Sequence, residues 1–348
     1  MLPPTFVPGF HNEEAVRKMR YNELGNTGML VSHLGFGGGV VNPHLFGDYD
    51  RAEVIATVRE AVKNGLNYID TAAFYGQGES EEVIGEALKE IPRQAYYLAT
   101  KLGRYGPHIE NLFDFSAKKS KESFERSLKL LGVEYVDILQ AHDIDYAPPG
   151  QVVEETLPTM EGFVKEGKVK FIGISAYSLD LHKETIEKSK VKISTVITFT
   201  RDTLIDDSLR EFIPIFKSLG VGVIEAASPC MALLTNAGPR DWHPAKKEVK
   251  ELCAKAAQYC KDNGVELARL AINHALSQEG PAVHIVGMPD RKVLNSNLDL
   301  LYNGLTAKEK EVLKEINARY LSKVPEKSWG DVEIKEYWAN INALKQKK

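Results

Sequence analysis

Short apolar runs alternate with longer amphipathic stretches along most of the chain. The short runs are rich in Val, Ile and aromatic residues, which is typical of strands covered on both faces. They predict strands at residues 34–37, 68–71, 96–101, 136–142, 169–175, 195–199, 221–226 and 283–288. The longer stretches repeat apolar residues at helical spacing and predict helices at residues 51–64, 80–90, 116–131, 154–166, 179–189, 206–219, 246–263 and 291–301.

That alternation predicts a parallel sheet with right-handed crossover connections. Eight consecutive strand–helix units close most simply into a (β/α)8 barrel, the TIM barrel. The alternative is an open doubly wound sheet, which usually carries Gly-x-Gly-x-x-Gly after its first strand. Residues 35–40 read GFGGGV, so valine occupies the last of these positions. We therefore predict an α/β protein built on a TIM barrel.

Two segments flank the predicted barrel, in what we expect to be one domain over residues 1–348. Residues 20–32 place the turn sequence NTG between β-like flanks, which predicts a hairpin that could cap the floor of a barrel formed by residues 33–303. Residues 304–348 predict a helical extension. Its apolar side chains recur at the spacing of an amphipathic helix that needs a partner surface: Ile334, Tyr337, Trp338, Ile341 and Leu344.

The composition excludes several classes of function. The 348 residues include 44 lysines and arginines against 48 aspartates and glutamates, a net charge of −4, which argues against binding to nucleic acid or to an anionic membrane. No apolar run is long enough to span a bilayer, and the N-terminus does not read as a secretory signal. We therefore expect a cytoplasmic protein without nucleic-acid or membrane partners, acting as a monomer or, alternatively, as a dimer.

The histidines and cysteines do not indicate a metal site. The chain has 9 histidines but neither His-Glu-x-x-His nor Cys-x-x-Cys, so a zinc motif is lacking. Cys253 and Cys260 share a predicted helix at ~10.5 Å of axial rise, which is too far for a disulfide. We expect solvated positions for His11, His33, His44, His108, His182 and His243.

Three consecutive predicted strands end in a charged or titratable residue. Asp70 ends the second strand, Lys101 the third and His142 the fourth. In a TIM barrel the chemistry lies at the carboxyl ends of the strands, and neighbouring ends stand ~4.8 Å apart. Each residue alone could be structural: a turn cap, a lysine reaching to solvent or a hydrogen-bonded histidine at the rim. Their joint placement favours an active site.

Tyr75 lies five residues after Asp70, in a loop that can fold back over the same rim. The ordinary pKa of tyrosine is ~10, and a neighbouring ammonium lowers it. We therefore interpret Tyr75 as the general acid and base, Lys101 as the group that tunes its pKa and Asp70 as the anchor of Lys101. His142 would donate a hydrogen bond to a carbonyl oxygen. None of these groups supplies hydride, so a reduction requires a nicotinamide cofactor.

This arrangement resembles the aldo-keto reductases. The resemblance covers roughly residues 20–303 and includes DTAAFYG at 70–76, KEGK at 165–168 and Gly287 followed by Asn297. Segments such as HDI at 142–144 are similar to the L-galactose dehydrogenase branch of the family. The resemblance implies reversible oxidoreduction of a small carbonyl compound or sugar, with Asp70, Tyr75, Lys101 and His142 as the catalytic set.

The resemblance also implies positions for the cofactor, and several depart from the family's usual residues. Ala176 stands in place of an asparagine, Thr198 in place of a glutamine and Ala226 or Ala227 in place of a stacking aromatic residue. Tyr177, Phe199 or Arg201 could substitute, although residues at such positions are more often ordinary loop residues. The expected cofactor-binding residues are Gly38, Ser175, Thr198, Ala226, Leu233, Gly287, Met288, Arg291, Ser296 and Asn297.

The choice between NAD(H) and NADP(H) stays open at this point. Met288, Pro289 and Val293 cannot bind the 2′-phosphate of NADP, whereas Arg291 and Lys292 in the same loop could reach it. The departures among the cofactor positions leave a second hypothesis. The chain would then be a cofactor-binding regulatory protein of this family with weak turnover.

Overall fold

The computed structural model describes residues 2–325 and 327–346. Its strands are β1 (Tyr21–Glu23), β2 (Leu30–Ser32), β3 (Leu34–Gly37), β4 (Tyr68–Asp70), β5 (Tyr97–Leu102), β6 (Val136–Ala141), β7 (Val169–Ala176), β8 (Thr195–Phe199), β9 (Gly222–Ala226) and β10 (Val283–Gly287). Strands β3 to β10 are parallel and form a closed barrel, with β10 beside β3. The predicted TIM barrel is confirmed.

Helices surround the barrel and cover its ends. They are α1 (Glu13–Lys18), α2 (Pro43–Phe46), α3 (Arg51–Lys63), α4 (Glu79–Leu88), α5 (Ala117–Leu131), α6 (Leu157–Lys165), α7 (Leu179–Lys188), α8 (Leu209–Ser218), α9 (Lys247–Asp262), α10 (Leu267–Leu276), α11 (Arg291–Asn303), α12 (Ala307–Arg319) and α13 (Gly330–Gln346). Helix α10 was not predicted from the sequence, although its buried Leu267, Leu270 and Ala271 follow helical spacing. No helix in the described ranges is long and apolar enough to cross a bilayer.

Side chains alternate between the inside of the barrel and the layer packed against the helices. Apolar residues from successive strands fill the inside, among them Tyr68, Ala99, Ile138, Ile197 and Ile224. Residues paired side by side in a parallel sheet point to the same face, because the period of a strand is two residues. This alternation determines which residues at the strand ends reach the mouth of the barrel.

The hairpin of β1 and β2 closes the amino end of the barrel, as predicted. Its turn packs against the start of β9, where the Asn26 amide donates to the Gly220 carbonyl at 2.9 Å. Gly25 has φ of +53°, and a Cβ there would lie 2.3 Å from the amide nitrogen of Gly222. Only glycine allows this close approach.

Helix α13 lies over the opposite end, the mouth of the barrel. Its buried Tyr337 packs edge-on against Phe113 and Tyr146, each at 5.3 Å between ring centroids. The Tyr177 hydroxyl donates to Glu333 at 2.8 Å and accepts from the Trp329 indole at 3.2 Å. The amphipathic helix predicted from the sequence therefore has the carboxyl-end loops of the barrel as its partner surface.

Candidate active site

The ends of β4, β5 and β6 bring together the four residues predicted to carry the chemistry. The Lys101 ammonium donates to the Asp70 carboxylate, to the Thr71 carbonyl at 2.9 Å and to the Tyr75 hydroxyl at 3.3 Å. The second oxygen of Asp70 accepts from the Gln140 amide at 3.0 Å. These side chains share the inner face of neighbouring strands, since Lys101 pairs with Gln140 in the register of β5 and β6.

A tight turn returns Tyr75 to the rim. Gly76, Gln77 and Gly78 have φ of +59°, +54° and +101°, which reverse the chain into α4. A Cβ on Gly76 would lie 2.9 Å from that of Glu79, so glycine is required there. The Tyr75 ring stands perpendicular to that of His142 at 5.8 Å between centroids. The phenol and the imidazole therefore line the same small volume.

The electrostatics of the site correct one expectation. Burial disfavours the Lys101 ammonium, but the interactions with Asp70 and Tyr75 together outweigh this effect and raise the pKa of Lys101. Burial also raises the pKa of Tyr75, and Lys101 only opposes that increase. The expected net lowering of the Tyr75 pKa was therefore wrong, because desolvation of the phenolate exceeds the attraction of the ammonium. Burial lowers the pKa of His142 to about 3.

These protonation states define what the site can do near neutral pH. Lys101 is an ammonium, Tyr75 is a neutral phenol that can donate a proton, and His142 is a neutral imidazole that can donate a hydrogen bond. Proton transfer to an oxygen held by Tyr75 and His142 would leave a phenolate next to a fixed cation, which stabilises the developing charge.

Only some of the expected nicotinamide contacts at the carboxyl ends of β7, β8 and β9 face the inside of the barrel. Ser175 and Ala226 share the inner face, but the Ser175 hydroxyl is already hydrogen-bonded to Asp143. Thr198 pairs in register with Ala176 and Glu225, whose side chains face the outer layer. The Thr198 side chain therefore points away from the mouth of the barrel. Phe199, the next residue, faces inward.

Arg201 and Tyr177, which the sequence offered as substitute nicotinamide contacts, are both bound to other protein side chains. The Arg201 guanidinium forms an ion pair with Asp206 at 3.0 Å. The Tyr177 ring packs against Phe199 at 4.0 Å between centroids. Of the substitutes considered for the missing contacts, the aromatic pair Tyr177 and Phe199 therefore lies at the mouth, while Arg201 is held by its neighbour.

The loop after β10 and the start of α11 hold most of the remaining expected cofactor residues. Close packing requires glycine at positions 38 and 287. A Cβ on Gly38 would lie 2.6 Å from the Ser80 hydroxyl oxygen, and a Cβ on Gly287 would lie 2.4 Å from the Val40 side chain. Met288 and Asn297 are buried, and the Asn297 amide nitrogen has no partner among the described residues. The Ser296 hydroxyl accepts from Arg269 at 3.0 Å.

Arg291 is paired with a carboxylate on α3. Its Nε and Nη2 atoms donate to the two carboxylate oxygens of Glu53 at 2.9 and 3.0 Å, and its backbone amide donates to the same carboxylate at 3.2 Å. Asp290 lies beside it and caps α11 by accepting from the Val293 amide at 2.7 Å. Two carboxylates thus lie beside the arginine that the sequence offered as a ligand for the 2′-phosphate of NADP.

The loop after β9 contains a feature that the sequence analysis missed. Cys230, Met231 and Ala232 are consecutive non-glycine residues in the left-handed region, with φ of +53°, +50° and +73°. The amides of Met231 and Ala232 donate to no acceptor in the part of the chain that the structure describes. Successive backbone amides that a turn leaves without protein acceptors can form a concavity suited to anions. Leu233 is buried directly behind it.

A groove of about 510 Å³ runs beneath α13 along the mouth of the barrel. Its walls combine aromatic rings with charged and amide side chains, including Arg104, Tyr146, Trp242, Lys250, Glu333, Glu336, Tyr337 and Asn340. This groove is not predictable from the sequence, because its walls come from loops and from a helix that are far apart in the chain.

The expectation for the histidines was partly wrong. His33, His182 and His243 are buried rather than solvated, because residues distant in sequence contact them, namely Leu276, Phe216 and Trp329 respectively. His284 is also buried and lies 3.2 Å from Glu225. No group of three or more His, Cys, Asp and Glu side chains within the described ranges could hold a metal ion.

These burials predict loss of stability in acid. Burial lowers the pKa of His182 to about 4, against an ordinary 6.5, so the unfolded chain binds a proton that the folded chain does not. The free energy of unfolding should therefore fall as pH decreases from about 6.5 towards 4, by up to ~1.4 kcal/mol per pH unit for one such residue. Urea unfolding between pH 7.5 and 4.5 measures this slope. We expect His182→Asn to reduce it and the exposed His44→Asn to leave it unchanged; equal slopes in both variants would contradict the assignment.

Comparison with known proteins identifies the family. Residues 33–318 match the Aldo/keto reductase family model. The chain is 37% identical over 284 residues to L-galactose dehydrogenase of Arabidopsis thaliana, covering 81% of this chain and 88% of that protein. It is 26% identical over 318 residues to D-arabinose 1-dehydrogenase of Saccharomyces cerevisiae, covering 86% and 93%. A holo-form aldo-keto reductase structure from Bacillus halodurans matches with a TM-score of 0.66 and 25% identity, over 88% of this chain and 100% of that one. The chain is therefore an oxidoreductase of the aldo-keto reductase family.

Proposed function

We propose that this protein is a nicotinamide-dependent sugar dehydrogenase, which interconverts a carbonyl group and the corresponding alcohol with Tyr75 as general acid and base. The observation that carries the proposal is the Lys101 ammonium, which contacts the buried Asp70 carboxylate and the Tyr75 phenol at the same time. Two relatives named as sugar dehydrogenases, and a groove that combines aromatic rings with polar groups, support a sugar as substrate.

The proposed mechanism assigns each residue one task. In the direction of reduction, Tyr75 gives its proton to the carbonyl oxygen, and Lys101 stabilises the phenolate that remains. His142 donates a hydrogen bond to the same oxygen and orients the substrate. Asp70 keeps Lys101 charged and fixed. The nicotinamide, when bound, supplies hydride for reduction and accepts it in oxidation, in which Tyr75 acts as the base.

The residues at the rim fit a dinucleotide. The amides of Met231 and Ala232 would bind the pyrophosphate, and the unpaired Asn297 amide would bind at the adenosine end. The Phe199 ring faces inward and could contact the nicotinamide, whereas the Thr198 side chain faces the outer layer. The remaining proposed contacts are Gly38, Ser175, Ala226, Leu233, Gly287, Met288 and Ser296.

The alternative, a cofactor-binding regulatory protein with weak turnover, is favoured by one observation. Ala176 and Ala226 lack the amide and the aromatic ring that the family uses to hold the nicotinamide. Titration with NADH and NADPH, followed by fluorescence and then by a panel of aldehydes, ketones and aldoses, distinguishes the two functions. An enzyme turns over at least one of these compounds; binding of either dinucleotide without turnover of any of them supports the regulatory function.

The ion pair between Arg291 and Glu53 predicts how the cofactors are discriminated. We expect NADH to be used at least as well as NADPH, because Glu53 neutralises the nearby arginine. Glu53→Gln should free Arg291 and raise kcat/KM for NADPH relative to NADH by roughly two- to fivefold, as expected for an exposed ion pair. Arg291→Ala should change this ratio little. If the wild type strongly prefers NADPH and Arg291→Ala removes that preference, Arg291 binds the phosphate and the prediction is wrong.

A further inference from the structure

A buried ion pair connects His142 to the groove beneath α13. Asp143 follows His142 directly, and its side chain is 3% exposed. Its Oδ2 atom accepts from the Arg104 Nη1 at 2.7 Å and lies 3.6 Å from the His142 Nε2. The Arg104 guanidinium also lies over the Phe74 ring, at 3.9 Å from its centroid. The carboxylate of Asp143 is thus positioned beside the nitrogen that would hold the reacting oxygen.

The backbone holds Asp143 in place by an uncommon conformation. Its φ of +53° lies in the left-handed region, which non-glycine residues seldom adopt. Ser175 supports it from the adjacent strand, because the Ser175 hydroxyl accepts from the Asp143 amide at 2.9 Å and donates to Oδ1 at 3.3 Å. Conformations of this kind persist where the surroundings define them closely, often at functional sites.

Arg104 extends the pair into the groove. The guanidinium lines the groove together with Tyr146 and Glu333. The Nε of Arg104 is buried and has no acceptor within the described ranges. An arginine carries five N–H donors, and Asp143 occupies only one of those on Arg104 as a side-chain partner in the described residues.

The charges around the groove indicate a neutral ligand. The positive charges of Arg104 and Lys250 are opposed by Glu333 and Glu336 on α13 and by Asp143 behind Arg104. An anionic substrate would therefore face an excess of carboxylates. A neutral polyhydroxylated compound can use both the carboxylate acceptors and the arginine donors.

We propose that Arg104 and Asp143 together recognise a hydroxyl group on the carbon next to the reacting carbon, so that the site selects neutral sugars over simple carbonyl compounds. The reacting oxygen accepts from His142, and the neighbouring hydroxyl donates to Asp143 and accepts from Arg104. The 3.6 Å between the His142 Nε2 and the Asp143 Oδ2 suits two adjacent oxygens, each ~2.8 Å from its partner. This inference rests on the proposed function.

The test compares two aldehydes that differ only in the hydroxyl group next to the carbonyl carbon, glyceraldehyde and 3-hydroxypropanal, by kcat/KM with NADH. We expect wild-type enzyme to prefer glyceraldehyde, and Asp143→Asn to reduce that ratio by roughly tenfold or more, as for loss of a hydrogen bond to a charged group. The exposed Arg319→Met on α12 is the control and should keep the ratio. A role in folding alone would lower both rates together and leave the ratio unchanged.

A double variant and a phosphorylated substrate test the same proposal independently. Asp143→Asn leaves Arg104 without its partner, so the combination of Arg104→Met with Asp143→Asn removes both charges and should lose the same preference. Wild-type enzyme should also use glyceraldehyde 3-phosphate at least tenfold less well than glyceraldehyde; equal use would overturn the selection of neutral substrates. An unchanged ratio in active variants would overturn the recognition of the hydroxyl group. Wild-type inactivity towards both aldehydes and towards a panel of free sugars would instead overturn the proposed function, and the inference with it.

Discussion

Replacement of Tyr75 by phenylalanine is expected to lower kcat on a carbonyl substrate by roughly 10²–10⁴-fold, the usual contribution of a general acid. The phenol contacts Lys101 at 3.3 Å and lines the same volume as the His142 ring, so it is placed to donate a proton to an oxygen held there. Affinity for the dinucleotide should change little, because the hydroxyl is proposed to act on the substrate alone.

Single-turnover reduction with saturating NADH measures the chemical step directly. Tyr49→Phe is a matched control, since the hydroxyl of Tyr49 donates to Glu79 outside the proposed site, at 2.6 Å. Retention of wild-type kcat in Tyr75→Phe, under conditions where chemistry limits the rate, would exclude Tyr75 as the acid. A large loss of dinucleotide affinity would indicate a different role for its ring.

Replacement of Lys101 by methionine is expected to move the limb of the pH–rate profile that belongs to Tyr75 to higher pH. Burial already raises the pKa of Tyr75, and the Lys101 ammonium opposes this increase. Without the cation the pKa rises further, so alcohol oxidation, which requires the phenolate, should begin only at higher pH. The profile of kcat/KM for oxidation between pH 6 and 11 measures the shift.

The same substitution leaves the Asp70 carboxylate buried without its partner. Breaking a buried ion pair in this way costs about 3–5 kcal/mol of stability, so part of any activity loss could reflect unfolding. Combining Lys101→Met with Asp70→Asn removes both charges and should recover stability but not the original profile. Lys170→Met, at a half-exposed lysine paired with Asp137, is the control for removal of a lysine. Residual activity with an unmoved limb would show that Lys101 does not tune Tyr75.

The sequence by itself determined the barrel and the set of four residues. Strand and helix alternation is a local property of the chain, and eight such units have one simple way to close. Once the strands are parallel, residues at their carboxyl ends must meet at one rim, so Asp70, Lys101 and His142 could be placed together without coordinates. The hairpin and the amphipathic character of α13 were predictable for the same local reason.

The tertiary structure alone decided how those residues are surrounded. A shift of β8 by one residue would decide whether Thr198 or Phe199 faces the mouth. The sequence does not reveal this register, because a strand buried on both faces is apolar on both. The partners of Arg291 and Arg104 depend on loops and helices far apart in the chain that meet only when the barrel closes. The net direction of the Tyr75 pKa also depends on burial, because desolvation grows as neighbouring segments exclude water while the attraction of one ammonium stays bounded by its distance. The spacing of residues along the chain therefore predicts which titratable groups lie at the carboxyl ends of neighbouring strands. Their protonation states and their partners depend on tertiary packing, because packing from all sides determines how far water is excluded.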